Sequence, residues 1–238
     1  MNTTPKLKSV SIVVPTRNEV ENVGPLVERI VASGAAFHEI IFVDADSIDG
    51  TRDQIDSLSK KHAIRLVEQN PAEPGLATAV MAGARAASGD LLLVMDADLS
   101  HPPERINDLL APLFANEADM AIGSRYVRGG STPGWPIWRK ILSRAGSALA
   151  YPLTGVRDSM CGFFAIDRRI LFEISPPTVG FKIAFETIVR GRSILRVKEI
   201  PIAFHDRARG HSKMTFGIAL RFFFRWFSAV FRRVFPSA

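Results

Sequence analysis

The fold of this chain is decided by one stretch, Asp90-Leu-Leu-Leu-Val-Met-Asp-Ala-Asp-Leu-Ser-His-Pro-Pro103. Its apolar run, Leu91 to Met95, is too short for a helix and has no polar alternation, which predicts a fully buried strand. The strand ends in Asp96-Ala97-Asp98, and alternate residues of an extended chain point to the same side. Two carboxylates placed in this way favour Mg²⁺ or Mn²⁺, which leave further positions to water and substrate phosphates. The alternative is an N-cap pair for the helix that Pro102-Pro103 introduces.

The composition is that of an ordinary globular protein. The 238 residues are 47% hydrophobic and 23% charged, which predicts one domain, or one domain with an appendage. The single cysteine, Cys161, excludes an internal disulfide and a cysteine-rich zinc site, and it is typical of a reducing compartment. The formal net charge of +6 has its excess after Arg125, which favours polyanionic partners such as phosphates or anionic lipid. We predict neither a secretory signal nor a transmembrane helix.

Apolar strands and amphipathic helices alternate along the first half of the chain. The predicted strands are residues 9–15, 39–44, 64–68, 91–95 and 120–123, and the predicted helices are residues 21–31, 51–61, 75–87 and 103–115. The helix over residues 75–87 is rich in small residues and can pack closely on a sheet. This alternation, without hairpin signals, predicts an α/β fold with a Rossmann-like, mostly parallel sheet and helices on both faces. After Gly129-Gly130 the elements become shorter, arginines and aromatic residues become frequent, and the tail is apolar.

Two more acidic loops precede the Asp96-Ala97-Asp98 tripeptide. Pro15-Thr16-Arg17-Asn18-Glu19 follows the first strand, and residues 44–51, from Asp44 through Asp46 and Asp49 to Thr51, follow the second. Because the carboxyl ends of neighbouring parallel strands meet at one edge, we expect all three acidic segments to converge. Carboxylates there can accept hydrogen bonds from ribose hydroxyls and base N–H groups. The chain lacks the P-loop and G-x-G-x-x-G patterns, so the commonest nucleotide-binding interpretations are removed.

This ordered series resembles family 2 glycosyltransferases of the GT-A fold, and among them the dolichyl-phosphate (polyprenyl-phosphate) mannosyltransferases. The resemblance covers most of the chain, from about Ser9 to Lys213. Besides the acidic loops, it is carried by Gly123-Ser-Arg-Tyr126, Arg139-Lys-Ile-Leu-Ser-Arg144, Asp158-Ser-Met-Cys-Gly-Phe163, Gly180-Phe-Lys-Ile183 with Glu186, Val197-Lys-Glu-Ile-Pro201, Phe204-His-Asp-Arg207 and Gly210-His-Ser-Lys213.

The resemblance implies an inverting, metal-dependent enzyme that moves mannose from GDP-mannose to a polyprenyl (dolichyl) monophosphate. The residues that it implies for the nucleotide sugar are Pro15, Arg17, Glu19, Asp44, Asp46, Asp96, Ala97 and Asp98. Asp96 and Asp98 would hold Mg²⁺ or Mn²⁺. The residues implied for the acceptor phosphate are Arg125, Arg144, Arg207 and Lys213, and those implied for catalysis are Asp98, Arg125 and Arg207.

Elementary chemistry agrees with these roles. A phosphate monoester has a second pKa of about 6, so it is ionised near neutral pH and needs no general base. The site must position two anions and neutralise their charge, a task that suits the permanent charge and planar fork of arginine. Cys161 is interpreted as a packed residue, and His101, His205 and His211 as polar contacts of the site loops. Glu186 could lie near the donor sugar or support the site.

Three departures from the family pattern lie around the nucleoside. Ala45 stands where a second acid is usual, Arg17 stands where tyrosine is common, and residues 74–79 lack the usual preceding lysine and carry Ala77 in place of a glycine. A UDP-sugar, with glucose or N-acetylhexosamine, is therefore the alternative donor. A non-catalytic, membrane-associated subunit is another alternative. A phosphoaspartyl phosphatase would carry its acidic pair on the first strand, and here three strands precede Asp96.

Two segments suggest contact with a membrane. We predict a GT-A domain over residues 1–215 and an amphipathic membrane-interface tail over residues 216–238, where Arg221, Arg225, Ser228 and Arg232 form one stripe of an otherwise apolar helix. The alternative for the tail is a helix packed on its own domain or on a partner. Trp135 to Leu153 is a second such segment. We expect a peripheral protein on the cytoplasmic side of a membrane, with no nucleic-acid partner; a membrane-anchoring subunit is left open.

Overall fold

The computed structural model describes residues 8–174 and 182–206. Within these residues seven strands form one sheet: β1 (Val10–Thr16), β2 (Glu39–Asp44), β3 (Ile64–Glu68), β4 (Leu91–Val94), β5 (Met120–Ser124), β6 (Phe164–Asp167) and β7 (Val197–Pro201). The helices are α1 (Val20–Ala32), α2 (Thr51–Ser59), α3 (Leu76–Ala86), α4 (Ile106–Phe114) after a 3₁₀ turn (Pro103–Arg105), α5 (Ile137–Thr154), α6 (Arg168–Ile174) and α7 (Ile183–Gly191). The five predicted strands and four predicted helices of the first half are all present.

The strand order is β3-β2-β1-β4-β6-β5-β7. β1 pairs in parallel with β2 and β4, β2 with β3, and β5 with β7. β6 runs antiparallel to both of its neighbours, β4 and β5. The mostly parallel sheet is therefore confirmed. The reversed strand was not predicted, because a hairpin signal arises only between strands that are close in sequence, and α5 separates β5 from β6.

The central strands of the sheet are buried on both faces. Every residue of β2 and of β4 is buried, as expected for strands that are covered by helices on both sides. Helix α3 approaches the sheet so closely that a Cβ added at Gly83 would lie 2.4 Å from Val13 Cγ1 and 3.0 Å from Val43 Cγ2. The close packing predicted for this small-residue helix is thus present, and it requires glycine at position 83.

Glu39 forms a buried polar cluster at the amino end of β2. Its Oε1 accepts hydrogen bonds from Ser11 Oγ and Ser88 N–H, each at 2.8 Å, and its Oε2 accepts one from Arg65 Nη1 at 3.1 Å. Burial alone would raise the pKa of this carboxyl, but the hydrogen bonds from Ser88, Ser11 and Arg65 outweigh burial and lower the pKa to about 2. The ionised Glu39 therefore stabilises the fold at the end of the sheet opposite the acidic loops.

Helix α5 exposes a row of large apolar side chains. They are Ile137, Trp138, Ile141, Leu142 and Leu149. The sequence placed Trp135 in the same apolar segment, and this placement was wrong: the helix begins at Ile137, and Trp135 is only 7% exposed because its ring packs inside the domain. None of the helices in residues 8–174 and 182–206 is both long enough and apolar enough to cross a membrane.

Candidate active site

The carboxyl ends of the parallel strands form the edge at which the acidic loops meet. The neighbouring strands β2, β1 and β4 end there at Asp44, Thr16 and Val94. Because β6 runs in the opposite direction, its amino end lies at this same edge, with Phe164 paired to Val94. The segment that precedes β6, residues 158–163, therefore reaches the loop that follows β4.

The Asp96 loop (residues 95–101) is a turn and not an extended strand. β4 ends at Val94, and Leu99 has a φ of +63°. The two acids differ in environment: the Asp96 side chain is 35% exposed, whereas Asp98 is 4% exposed and its Oδ1 accepts a hydrogen bond from Ser100 N–H at 3.1 Å. The extended geometry expected for the pair was wrong, because the turn sets the direction of each carboxylate. The N-cap alternative was wrong as well, since the 3₁₀ turn is capped at Pro102 without a side-chain hydrogen bond.

His101 fixes the backbone of the Asp96 loop. Its Nδ1 accepts a hydrogen bond from Asp96 N–H at 3.0 Å, and its ring stacks on Phe163 with 5.3 Å between the ring centroids. Burial lowers the pKa of His101 in spite of the nearby carboxylates of Asp96 and Asp98, so the imidazole is neutral and Nδ1 stays an acceptor. The polar loop contact predicted for His101 is therefore present.

Gly162 keeps the space beside Asp96 open. A Cβ at this position would lie 3.4 Å from Asp96 Oδ1, 3.6 Å from Asp96 Oδ2 and 3.3 Å from His101 Cε1. A larger residue would occupy the room that an ion or a phosphate needs next to the carboxylate. Cys161 is buried, and burial raises the pKa of its thiol to about 12, which agrees with the packed, neutral cysteine that was predicted.

Asp44 presents a buried carboxylate oxygen without a hydrogen-bond donor. Its Oδ2 accepts hydrogen bonds from Ser47 N–H at 3.0 Å and from Arg52 Nε at 2.6 Å. Its Oδ1 has no hydrogen-bond partner among the described residues. Burial alone would raise the pKa of Asp44, but Ser47 and Arg52 lower it below its ordinary value, so the group is ionised. A buried anion with an unfilled acceptor site is suited to an N–H or O–H group of a ligand.

Arg52 gathers the acids of the second loop. Besides its hydrogen bond to Asp44, its Nη2 lies 3.6 Å from Asp46 Oδ1 and its Nη1 lies 3.5 Å from Glu68 Oε1. The sequence did not single out Arg52, because an arginine in the first turn of a polar helix is ordinarily solvated. Its position directly after the acidic segment 44–51 is the feature of the sequence that could have indicated a role in the site.

The first acidic loop lies against the second. Asn18 N–H donates to Ser47 Oγ at 2.8 Å, Ile48 N–H donates to Asn18 Oδ1 at 2.9 Å, and Glu19 N–H donates to Thr51 Oγ1 at 2.9 Å. These bonds bring together two of the three acidic loops. The predicted nucleotide residues carried by these two loops and the strand ends before them are Pro15, Arg17, Glu19, Asp44 and Asp46.

Arg125 is buried and paired with Asp158. Its Nε and Nη2 donate to the two carboxylate oxygens of Asp158 at 2.7 Å each, and its backbone N–H donates to the same group at 2.9 Å. Burial alone would lower the pKa of Arg125, but the hydrogen bonds and charge of Asp158 raise it above its ordinary value. Nη1 makes no hydrogen bond within the described residues. Asp158 belongs to one of the family motifs, but the sequence alone did not predict its role, because Arg125 and Asp158 are thirty-three positions apart along the chain.

Glu199 in β7 holds the turn that presents Asp158. Its two carboxylate oxygens accept hydrogen bonds from Asp158 N–H at 3.0 Å and from Arg157 N–H at 2.9 Å. On the other side of the turn, the amine of Lys182 donates to Met160 O at 3.2 Å, and burial lowers its pKa in spite of the nearby Asp96. The segment that carries Asp158 is thus fixed by β7 and by the start of α7.

A cavity of about 520 Å³ lies between α5 and Tyr126, the residue next to Arg125 in the chain. It is lined by Tyr126, Arg144, Ser147, Ala148, Tyr151 and Arg157. Ser147 Oγ is buried and has no hydrogen-bond partner among the described residues, and Arg144 Cζ lies 5.9 Å from the centroid of the Tyr126 ring. The predicted phosphate residues Arg125 and Arg144 therefore lie in the same region, both with Cζ no more than 5.9 Å from the Tyr126 ring centroid. Arg207, Lys213 and the predicted tail lie outside the described residues. For Glu186 in α7, both predictions, a place near the donor sugar and a supporting role in the site, stay predictions.

Comparison with known proteins identifies the family. Residues 11–184 match the sequence profile described as Glycosyl transferase family 2. The chain belongs to this family. This chain is 40% identical to "Dolichol-phosphate mannosyltransferase" of Pyrococcus furiosus. The match covers 86% of this chain but only 59% of the relative. It is 33% identical to the protein of the same name from Saccharomyces cerevisiae, covering 89% of this chain and 83% of the relative.

Solved structures show the same fold. The family 2 chain superimposes with a TM-score of 0.70 on glucosyl-3-phosphoglycerate synthase from Mycobacterium tuberculosis, determined with Mn²⁺, UDP and glucosyl-3-phosphoglycerate. The match covers 95% of this chain and 80% of the other at 18% identity. The same synthase in complex with Mn²⁺, UDP-glucose and phosphoglyceric acid gives a TM-score of 0.71 at the same identity, over 95% and 79% of the two chains. These likenesses confirm the GT-A-like fold.

Proposed function

We propose that this protein transfers mannose from GDP-mannose to a polyprenyl (dolichyl) monophosphate at a membrane surface, with inversion at the anomeric carbon. The observation that carries the proposal is that one edge of the sheet holds both an open acidic loop, at Asp96, and a buried arginine, Arg125; the Phe204 ring contacts both Arg125 and His101 of that loop. Such a site can hold a metal-bound nucleoside diphosphate and a second anion together. The relatives named dolichol-phosphate mannosyltransferase support the choice of donor and acceptor.

The first two acidic loops would bind the nucleoside. Asp44 Oδ1, which has no hydrogen-bond partner among the described residues, can accept a hydrogen bond from an N–H group of the base. Both guanine and uracil carry an imino N–H group. Glu19 and Asp46 lie in the same pair of loops and would accept from ribose hydroxyls. Arg17 and Ala45 are unusual for the family at their positions, so a UDP-sugar is the alternative donor.

The Asp96 loop fits a divalent cation. Among the described residues no cluster of three or more His, Cys, Asp or Glu side chains could hold a metal ion, so Asp96 and Asp98 would share Mg²⁺ or Mn²⁺ with water and diphosphate oxygens. When bound, the ion neutralises the charge of the departing diphosphate. Gly162 provides the room beside Asp96, and His101 holds the loop backbone in place before the ligand arrives.

Arg125 and Arg144 would hold the acceptor phosphate. An oxygen of this phosphate forms a bond to the anomeric carbon of mannose, the bond from that carbon to the diphosphate oxygen breaks, and the electron pair leaves with GDP. No proton has to be removed, because the monoester is already ionised near neutral pH, its second pKa being about 6. The protein contributes position and charge: Asp158 directs the Arg125 guanidinium, and the unsatisfied Ser147 hydroxyl can donate to a bound anion.

Helix α5 would lie on the membrane. Its exposed face carries Trp138, Ile141 and Leu142, and Arg144 lies one turn beyond Ile141 at the cavity. A polyprenyl phosphate keeps its chain in the bilayer, so an apolar helix next to the phosphate-binding arginines would bring the headgroup within reach. We infer a peripheral position on the cytoplasmic side of the membrane; the tail at residues 216–238 and an anchoring subunit are further elements of this proposal.

The test is a transfer assay with a panel of donors. Purified full-length protein is incubated with Mn²⁺ or Mg²⁺, polyprenyl phosphate and labelled GDP-mannose, UDP-glucose or UDP-N-acetylglucosamine. We expect labelled lipid from GDP-mannose alone. Transfer only from a UDP-sugar would correct the donor, and no labelled lipid from any donor would contradict the enzyme and favour a non-catalytic subunit.

A further inference from the structure

Three aromatic rings surround the guanidinium of Arg125. Its Cζ lies 5.2 Å from the ring centroid of Tyr126, 5.5 Å from that of Trp135 and 5.4 Å from that of Phe204. The Arg125 side chain is only 10% exposed. The attraction between a cation and an aromatic face is largest where both groups are removed from water. The rings therefore restrict this arginine in addition to its ion pair with Asp158.

Trp135 also contacts helix α5. Arg139, in the first turn of α5, places its Cζ 3.9 Å from the indole centroid and donates a hydrogen bond to Asp206. The rings of Trp135 and Phe204 meet edge to face, with 5.4 Å between centroids and an interplanar angle of 82°. Trp135 therefore contacts a guanidinium of the site and a guanidinium of the helix that exposes the apolar face.

Phe204 extends these contacts to the Asp96 loop. Its ring meets the ring of His101 at 5.4 Å and 75°, and His101 accepts the backbone hydrogen bond of Asp96. The neighbouring His205 N–H donates to Ser100 O at 3.2 Å. A continuous set of contacts thus runs from α5 through Trp135 and Phe204 to the loop that would carry the metal.

We infer that Trp135 and Phe204 are positioning residues that fix the Arg125 guanidinium for the acceptor phosphate and join it to α5. This inference deepens the proposed function and rests on it. Asp158 occupies Nε and Nη2 of Arg125, and the rings limit the remaining freedom of the group, so that Nη1 keeps one direction for a phosphate oxygen. Neither ring is a ligand of the phosphate; both act through Arg125.

Two aromatic residues give a matched comparison. Trp135 is 7% exposed and contacts Arg125, whereas Phe114, the last residue of α4, is 43% exposed and lies outside α5 and the site loops. The indole N–H of Trp135 has no hydrogen-bond acceptor among the described residues, so Trp135→Phe keeps an aromatic contact without breaking a hydrogen bond. Trp135→Ala removes the contact, and Phe114→Ala is the control.

The experiment measures acceptor binding and turnover separately. Full-length variants are titrated calorimetrically with a short, water-soluble polyprenyl phosphate, and steady-state KM values are determined for this acceptor and for GDP-mannose. We expect Trp135→Ala to weaken acceptor binding and raise the acceptor KM about tenfold, as loss of a desolvated cation–π contact predicts. The KM for GDP-mannose should stay unchanged, Trp135→Phe should recover most of the loss, and Phe114→Ala should match wild type.

Several outcomes would overturn the inference. They are an unchanged acceptor affinity in Trp135→Ala, an equal rise of both KM values, or no recovery in Trp135→Phe. If Trp135→Ala fails to fold, as judged by circular dichroism, Phe204→Leu must raise the acceptor KM in its place. Wild-type protein that binds the acceptor but transfers no sugar would contradict the proposed function alone, whereas wild-type protein that does not bind it would overturn both.

Discussion

Asp158 receives hydrogen bonds from both Nε and Nη2 of Arg125 at 2.7 Å, and the carboxylate is fully buried. A bidentate pair of this kind fixes the plane of a guanidinium as well as its position. Removal of one partner of a buried pair leaves an uncompensated charge, which typically costs about 3–5 kcal/mol. The geometry of the phosphate site therefore depends on a residue that need not touch the substrate.

The first prediction concerns this pair. We expect Asp158→Asn to lower the free energy of unfolding by about 3 kcal/mol and to raise the acceptor KM, because Arg125 loses its charged partner. Urea denaturation and steady-state kinetics measure the two effects. Asp119→Asn is the matched control, since Asp119 forms a similar pair with the exposed Arg196 far from the site, and it should leave the acceptor KM unchanged. An Asp158→Asn variant with wild-type kinetics would contradict the prediction.

The second prediction concerns the metal. Asp98→Asn keeps an oxygen for the Ser100 hydrogen bond but removes the charge, so the fold should persist while turnover falls about 10³-fold. Circular dichroism, Mn²⁺ titration and transfer assays together separate these effects. Asp108→Asn, on the exposed side of α4, should behave as wild type. Unaltered Mn²⁺ affinity in Asp98→Asn would refute the role given to this carboxylate.

The third prediction concerns Arg52. Because Arg52 Nε directs the Asp44 carboxylate, Arg52→Gln should weaken GDP binding about tenfold, the size expected for a lost hydrogen bond to a charged group. Calorimetric titration with GDP measures this directly. The control is Arg29→Gln, which breaks an exposed pair with Glu104 away from the acidic loops. A change in the acceptor KM with unchanged GDP affinity would show that Arg52 acts elsewhere.

The fourth prediction concerns pH and stability. The pKa of Glu39 falls from 4.5 to about 2 on folding, so its contribution is complete above pH 4.5 and is lost as the pH falls from 4.5 toward 2. Glu39→Gln should therefore lower the free energy of unfolding by about 3 kcal/mol at pH 7, and the difference from wild type should shrink toward pH 2. Urea denaturation across this range tests it, with the exposed Glu117→Gln as the control. A difference that stays constant with pH would be the contrary result.

The fifth prediction concerns the membrane. Ile141→Glu places a charge in the exposed apolar face of α5 and should weaken binding to anionic vesicles at least about tenfold. Sedimentation with vesicles of phosphatidylcholine and phosphatidylserine gives the measurement. Ile194→Glu changes a similarly exposed isoleucine outside α5 and should bind as wild type. Equal loss in both variants would indicate a non-specific effect of charge.

Local patterns in the sequence account for the correct predictions. Leu91 to Val94 and Glu39 to Asp44 are recognisable because buried strands need uninterrupted apolar residues. The acidic residues at or just after the carboxyl ends of these strands could be assigned to the site because ligands bind at that edge of a parallel sheet. The same holds for α3, whose small residues predict close packing around Gly83. These features depend only on neighbours within a few positions of the chain.

Features that depend on distant residues could not be predicted. The Arg125–Asp158 pair, the stacking of His101 on Phe163 and the contact of Trp135 with Phe204 all require the tertiary fold before the partners meet. Trp135 illustrates the difficulty, because its hydrophobic character fits an exposed membrane face as well as a buried ring between two arginines. The structure distinguishes these two placements because α5 begins at Ile137, after Trp135.

The reversed direction of β6 has a consequence for the order in which the chain can fold during synthesis. β5 touches β6 and β7 but does not pair with β4, so the free edge of β4 cannot be closed until residues 164–167 have left the ribosome. By then β3, β2, β1 and β4 can already have assembled, since N-terminal units form first. The nascent chain therefore carries an open sheet edge, a known aggregation hazard, while residues 95–163 are translated. Truncated chains that end before β6 should consequently recruit chaperones more strongly than the complete protein.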